Sequence, residues 1–180
     1  MQKTHKILIG MGAFAVIAYL FNKKSVIANS KELIKKWEGL LLTAKKDIVG
    51  IPTIGYGNIS YELVPSIAKR FGRKKVQMGD KITKAEAEAL LEANIDLIAT
   101  KITQALKRPN PKPNELAALI SFAYNVGING LLRSTLFKLY NVNTPVLETA
   151  KQFDKYVYAG GQRSKGLANR RADEKKIFTA

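Results

Sequence analysis

Residues 83–106, TKAEAEALLEANIDLIATKITQAL, limit the possible folds more than any other stretch of the chain. Thr83 followed by Glu86 is a capping box, in which two unpaired backbone donors are satisfied reciprocally, and it fixes where a helix begins. Ala87, Leu90, Leu91, Ile95 and Ile98 then recur at helical spacing as one apolar stripe. At about 24 residues such a helix is long enough to connect two lobes. KRPNPKPN ends it, and ELAALISFAYNVGINGLL opens a more apolar helix that stops near Gly127. TPVLETAKQFDKYVYAGG predicts another amphipathic helix, and GLANRRADEKKIF a last one led by arginines. The 180 residues suit one domain with a small appendage, and they contain no repeat or low-complexity segment.

One region departs from the helical period. Over residues 41–58, Gly50, Pro52, Gly55 and Gly57 fall between β-branched residues, which predicts a small antiparallel ribbon with tight turns. ANSKELIKKWEG, just before it, reads as a short helix with Ser30 or Asn29 as N-cap, Leu33, Ile34 and Trp37 on one face, and Gly39 as the stop. Residues 60–80 read as a basic, partly helical connection. The expected fold class is α+β, mostly α.

The chemistry is limited by what is missing. Cysteine is absent and the single histidine is His5. Thiol nucleophiles, Ser-His-Asp triads and Cys/His zinc sites are therefore excluded, and carboxylates must do any acid–base work. Glu38 occupies the last turn of its predicted helix, where the helix dipole already places negative potential. Such a break with local preference is expected where a residue serves function. The dipole, together with apolar neighbours such as Trp37, opposes a negative charge there, which suits a group that must hold a proton near neutral pH.

The net charge of +16 implies a polyanionic partner, whether nucleic acid, anionic lipid or a charged cell envelope. Residues 1–28 contain Lys3 and Lys6, an uncharged apolar run over residues 7–21, and then Lys23 and Lys24. The run is shorter than the roughly 20 residues that comfortably span a bilayer, and glycines and alanines dilute it. Three readings follow: a cleaved signal with Val26 and Ala28 as the cleavage pattern, a permanent anchor, or a weak anchor that can later leave the membrane.

EGLLLTAKKDIVGIPTIGYGN places Asp47 nine residues after Glu38 and Thr53 six further on. This stretch resembles the catalytic segment of the phage-type lysozymes, the endolysin muramidases of glycoside hydrolase family 24. ITKAEAEALL, SFAYNVG followed by STLFKLYN, and YAGGQRSKGLANRRADE resemble the same family in the same order, so that the likeness runs from residue 30 to residue 178. The resemblance implies a two-lobe lysozyme-like fold with a small ribbon and a long connecting helix. It also implies cleavage of peptidoglycan between N-acetylmuramic acid and N-acetylglucosamine, without metal or cofactor. Glu38 would be the general acid, Asp47 the carboxylate handling the attacking water, and Thr53 the hydroxyl that helps place it. A ribbon folding back across the helix end is a reasonable way to bring a second carboxylate to the other face of the sugar.

Tyr124 and Asn125 are candidates to line the sugar cleft, the alternative being a helix-ending Asn beside a core Tyr. Arg170 and Arg171 are candidates to meet Glu38 or the glycan, the alternative being a solvated cationic helix face. Where the family often has a histidine after GYG, this chain has Asn58. The start of the chain resembles that of signal-arrest-release endolysins, with residues 1–28 as signal-anchor, membrane contact through residues 7–21, residues 29–180 as the catalytic domain, and export to the inner membrane and periplasm. The expected protein is a monomer. Two other classes remain: an inactive peptidoglycan-binding or structural protein of the same fold, and a basic nucleic-acid-binding protein. The second should interleave basic residues with stacking aromatics, and the chain does not.

Overall fold

The computed structural model describes the backbone of residues 11–47 and 49–180, and side chains from residue 22 onward with the exception of residue 48. The expected apolar segment at 7–21 lies in part outside the described residues. Among the described residues no helix is long and apolar enough to cross a membrane.

Helix α1 runs from Met11–Glu38 without a break. Ser30 is therefore not an N-cap, contrary to expectation. Its hydroxyl donates to the Val26 carbonyl at 2.7 Å, the back-bonding of a serine inside a helix. The reason lies in tertiary packing: Val26, Ile27, Ser30, Leu33 and Ile34 are buried at helical spacing, so the stripe continues upstream through the position that local signals mark as a start. Lys23 pairs with Asp96, and Lys31 with Glu88 and Glu92, along the neighbouring connecting helix.

After Gly39, strands β1 (Leu41–Lys46) and β2 (Pro52–Gly55) form the expected antiparallel ribbon, with Lys45 opposite Thr53 and Lys46 opposite Pro52. Residues 60–80 complete this lobe. They carry α2 (Pro65–Phe71) and close on Asp80, which accepts from the Tyr61 hydroxyl and the Gln77 amide and pairs with Arg73. The Tyr61 and Phe71 rings stack at 4.5 Å.

Helix α3 (Lys84–Ala105) has the predicted capping box and connects the lobes. Its buried face is Ala87, Leu90, Leu91, Ile95, Ala99 and Ile102, with Ile98 half-buried at its edge. Helix α4 (Pro113–Val126) is buried on every side from Glu115 to Ala123, which makes it the centre of the helical lobe. It packs against α1, α3, α5 (Ile128–Arg133) and the final helix. Helix α6 (Thr135–Asn141) follows, with Ser134 as N-cap.

The amphipathic helix expected after residue 144 is cut short. The chain forms α7 (Val146–Ala150), a 3-10 turn (Lys151–Lys155) and a hairpin of β3 (Tyr158–Ala159) and β4 (Gln162–Arg163). Gly160 and Gly161, both at positive φ, make the two-residue hairpin loop that ends helical continuation. Helix α8 (Lys165–Phe178) closes the lobe, placing Phe178 against Tyr140 and Phe153.

Candidate active site

Glu38 is the last residue of α1, and Gly39, at φ +68°, lets the chain leave the helix toward the ribbon. The ribbon returns over it. A Cβ added at Gly57 would lie 3.4 Å from Glu38 Oε2, so the glycine allows the turn to approach the carboxylate. The other oxygen, Oε1, accepts from Arg170 Nη1 at 2.7 Å, across 132 residues of sequence. Among the described residues Oε2 has no hydrogen-bond partner, so one oxygen is anchored and the other faces the turn. The surroundings thus differ from the apolar ones expected, because a cation touches the carboxylate.

Arg170 and Arg171 do not form a solvated helix face. They are 4% and 0% exposed. Arg170 does meet Glu38, as the sequence suggested, and its Nη2 donates to the Ser121 carbonyl at 3.2 Å. Arg171 is fully enclosed, which replaces the expected contact with a glycan by contacts with protein: it donates to Asn125 Oδ1 at 3.2 Å and pairs with Glu174 at 2.8 Å. Burial lowers the Arg171 guanidinium from its ordinary range. Glu174, 0% exposed, was not singled out in the sequence. The readable signal was its spacing in RRADE, three and four residues after two arginines on one helix.

Asp47 follows the end of β1. Its Oδ1 accepts from the amides of Val49 at 2.9 Å and Ile51 at 2.8 Å, and its own amide donates to the Ile51 carbonyl. Oδ2 has no hydrogen-bond partner among the described residues. Thr53 is 8% exposed and donates to the Lys45 carbonyl at 3.2 Å, leaving its oxygen lone pairs able to accept. Thr53 stands opposite Lys45 in the ribbon, and Asp47 lies just past the end of β1, tied by its amide to the Ile51 carbonyl.

Tyr124 is half-buried, and its hydroxyl donates to the Tyr56 carbonyl at 2.6 Å, tying α4 to the ribbon turn. Burial pushes its phenol upward, with the Glu38 charge adding to the effect. Asn125 is exposed at the end of α4 while holding Arg171. A cavity of about 310 Å³ lies between the lobes, lined by Gly57, Asn58, Ile59, Asn94, Ile98 and Tyr124 among others. Larger depressions of about 610 and 570 Å³ lie between the ribbon at Ile51 and Pro52 and the segment 59–76, and between α1 and α8. Glu38, Asp47 and Thr53 line none of the three; the interlobe cavity is the functional candidate because a Cβ added at its Gly57 would lie 3.4 Å from Glu38 Oε2. Asn58, 4% exposed, has an Oδ1 without a partner. Exposed Ile59 and Leu97 give the cavity apolar rims suited to sugar faces.

The phage lysozyme family model matches residues 35–174. The SAR-endolysin of Enterobacteria phage PA-2 is 30% identical over 177 residues, covering 98% of this chain and 94% of that protein. The endolysin of Bacillus phage PZA is 33% identical over 153 residues, covering 82% of this chain, which spans about half (52%) of that longer protein. Among solved structures, the endolysin from Escherichia coli O157:H7 phage FAHEc1 superposes with a TM-score of 0.69 at 36% identity, covering 83% of this chain and 90% of that one.

Proposed function

The chain belongs to the phage lysozyme family of peptidoglycan-hydrolysing enzymes, and from that premise we propose that Glu38, Asp47 and Thr53 carry out its reaction. Glu38, through Oε2, protonates the leaving oxygen of the β-1,4 bond between N-acetylmuramic acid and N-acetylglucosamine. Asp47, through Oδ2, handles the attacking water, and Thr53 helps to place it. The observation that carries the assignment is the asymmetry of Glu38, with Oε1 fixed by Arg170 and Oε2 left facing the ribbon turn. The same division appears at Asp47, where Oδ1 is engaged by backbone amides. Two carboxylates with one committed and one available oxygen each are what acid and water-handling roles need.

Tyr124 and Asn125 contact the glycan from the end of α4, and Arg170 acts from beneath by orienting Glu38. The protein works as a monomer on glycan strands, and no metal or cofactor enters this scheme. Glu38→Gln keeps the side-chain shape and removes the proton donor, so cell-wall turbidity should fall about 10² to 10⁴ times more slowly than with the native enzyme. Near-native clearing would refute the role.

Residues 1–28 serve in this reading as a releasable signal-anchor and residues 29–180 as the catalytic domain. The likeness to SAR-endolysins and the short, Gly- and Ala-diluted apolar run support that reading. Full-length protein should start in the membrane fraction uncleaved and become soluble and lytic in the periplasm once the membrane is de-energised. A mature protein beginning at Asn29 would instead establish cleavage.

A further inference from the structure

Beneath Glu38 lies a closed chain of buried charge. Glu174 Oε1 accepts from Ser121 Oγ at 2.8 Å, Arg171 Nη2 at 3.1 Å and Arg170 Nε at 3.2 Å. Arg171 Nε lies 2.8 Å from Oε2, an ion pair that is off-line for a hydrogen bond. The Arg171 guanidinium also covers the Phe122 ring, 4.7 Å from its centroid. Arg170 then reaches forward from this carboxylate to Glu38.

We propose that Glu174 is a positioning residue for catalysis: by binding Arg170 on the side away from Glu38, it divides that guanidinium between two carboxylates and so sets how strongly Glu38 is held. The inference rests on Glu38 being the general acid. Two adjacent arginines inside a protein need a counter-charge, and a guanidinium facing a single carboxylate holds that carboxylate ionised. Glu174 supplies the competing partner. Burial pushes its carboxyl upward against the pull of the arginines. Arg170 and Arg171 nevertheless meet it only as donors, which holds it as the carboxylate.

Other charged groups on the packed elements have their own partners or are exposed, including Lys35 of α1, paired with Glu88, and buried Glu115 of α4, which accepts from the Tyr140 hydroxyl and pairs with Arg108. From α1 come Glu38 and Lys36, the latter paired with Asp173. From α4 come the uncharged Ser121, Tyr124 and Asn125. From the 3-10 turn comes Asp154, taken by Lys175 near the surface, and α7 offers exposed Glu148. Glu174 is thus the carboxylate that shares Arg170 with Glu38.

The test is the pH–rate profile of purified full-length enzyme on cell walls, with thermal melts as the folding control. Glu174→Gln removes the competing charge at nearly constant shape. The alkaline limb of the rate should move down, because Arg170 is then left to Glu38 alone. Arg171→Gln frees Glu174 to hold Arg170 more strongly, and the limb should move up. Opposite shifts are the signature, since a merely structural role would lower rate and melting temperature in both variants without moving the limb. An alkaline limb unchanged in both folded variants would overturn the proposal, as would a shift of the same sign in both. Should Glu174→Gln not fold, the direction seen with Arg171→Gln decides. The failure of Glu38 as acid is distinguishable, because Glu38→Gln would then remain active whatever the other variants do.

Discussion

The two carboxylates proposed to carry the reaction are held by different means. Glu38, on the helical side, depends on a side chain 132 positions away, which itself depends on buried Glu174 and Ser121. Asp47, on the ribbon side, is held by amides two and four residues away in its own exposed loop. One environment is built by the whole lobe and the other by a few residues. Activity and stability should therefore be inseparable around Glu38 and separable around Asp47.

Arg170→Met should have the largest effect. Removing a cation with a 5% exposed side chain leaves Glu174 short of a partner and Glu38 without its anchor, and breaking a buried pair costs about 3 kcal/mol or more. Denaturant unfolding should show that loss together with a collapse of activity. Asp47→Asn should do the opposite. Its amide oxygen still accepts from Val49 and Ile51, so the melt should stay near native while turnover falls on the order of 10² or more. Equal destabilisation by the two variants would remove the distinction.

Acid should loosen the seam between the lobes before it unfolds either of them. Burial opposes charge on Glu88, but hydrogen bonds from Lys35, Lys31 and Tyr56 outweigh it and hold its carboxyl down at about 2. Because the folded value is depressed, the stability it contributes is complete above its unfolded value near 4.3 and is lost as pH falls from there toward about 2. Melting temperature should drop by a few degrees over that window. Glu88→Gln should flatten the drop, and an unchanged slope would assign the acid sensitivity elsewhere. Thr53→Ala should have the smallest effect, a decrease in turnover of about tenfold or less with little change in melting, since the lost bond to the Lys45 carbonyl contributes about 1 kcal/mol.

The same local-versus-distant contrast explains how much was legible in the sequence. Helix α3, its capping box and the ribbon were readable because each is set by neighbours within a few residues. The start of α1 was not, because a serine before a charged turn looks alike as N-cap and as interior residue, and only packing against α3 and α4 decides. The region after residue 144 has an apolar period that suits a helix, while Gly160 and Gly161 carry a hairpin signal that overrides it. At the site, the triplet Glu38, Asp47 and Thr53 came from resemblance. The proximity of Arg170 to Glu38 was one of two readings. Burial of Arg171 and the place of Glu174 required the lobe to be assembled, since nothing in a helical RRADE states which face points inward.

Hydrolysis of the glycan by Glu38 as acid and a water handled by Asp47 is the proposed reaction. Mass spectrometry of purified peptidoglycan digested by the native enzyme tests it most directly. The native digest should contain fragments with hydrated N-acetylmuramic acid at the new reducing end, absent from a parallel digest by folded Glu38→Gln. New ends at N-acetylglucosamine, or anhydro ends formed without water, would contradict it.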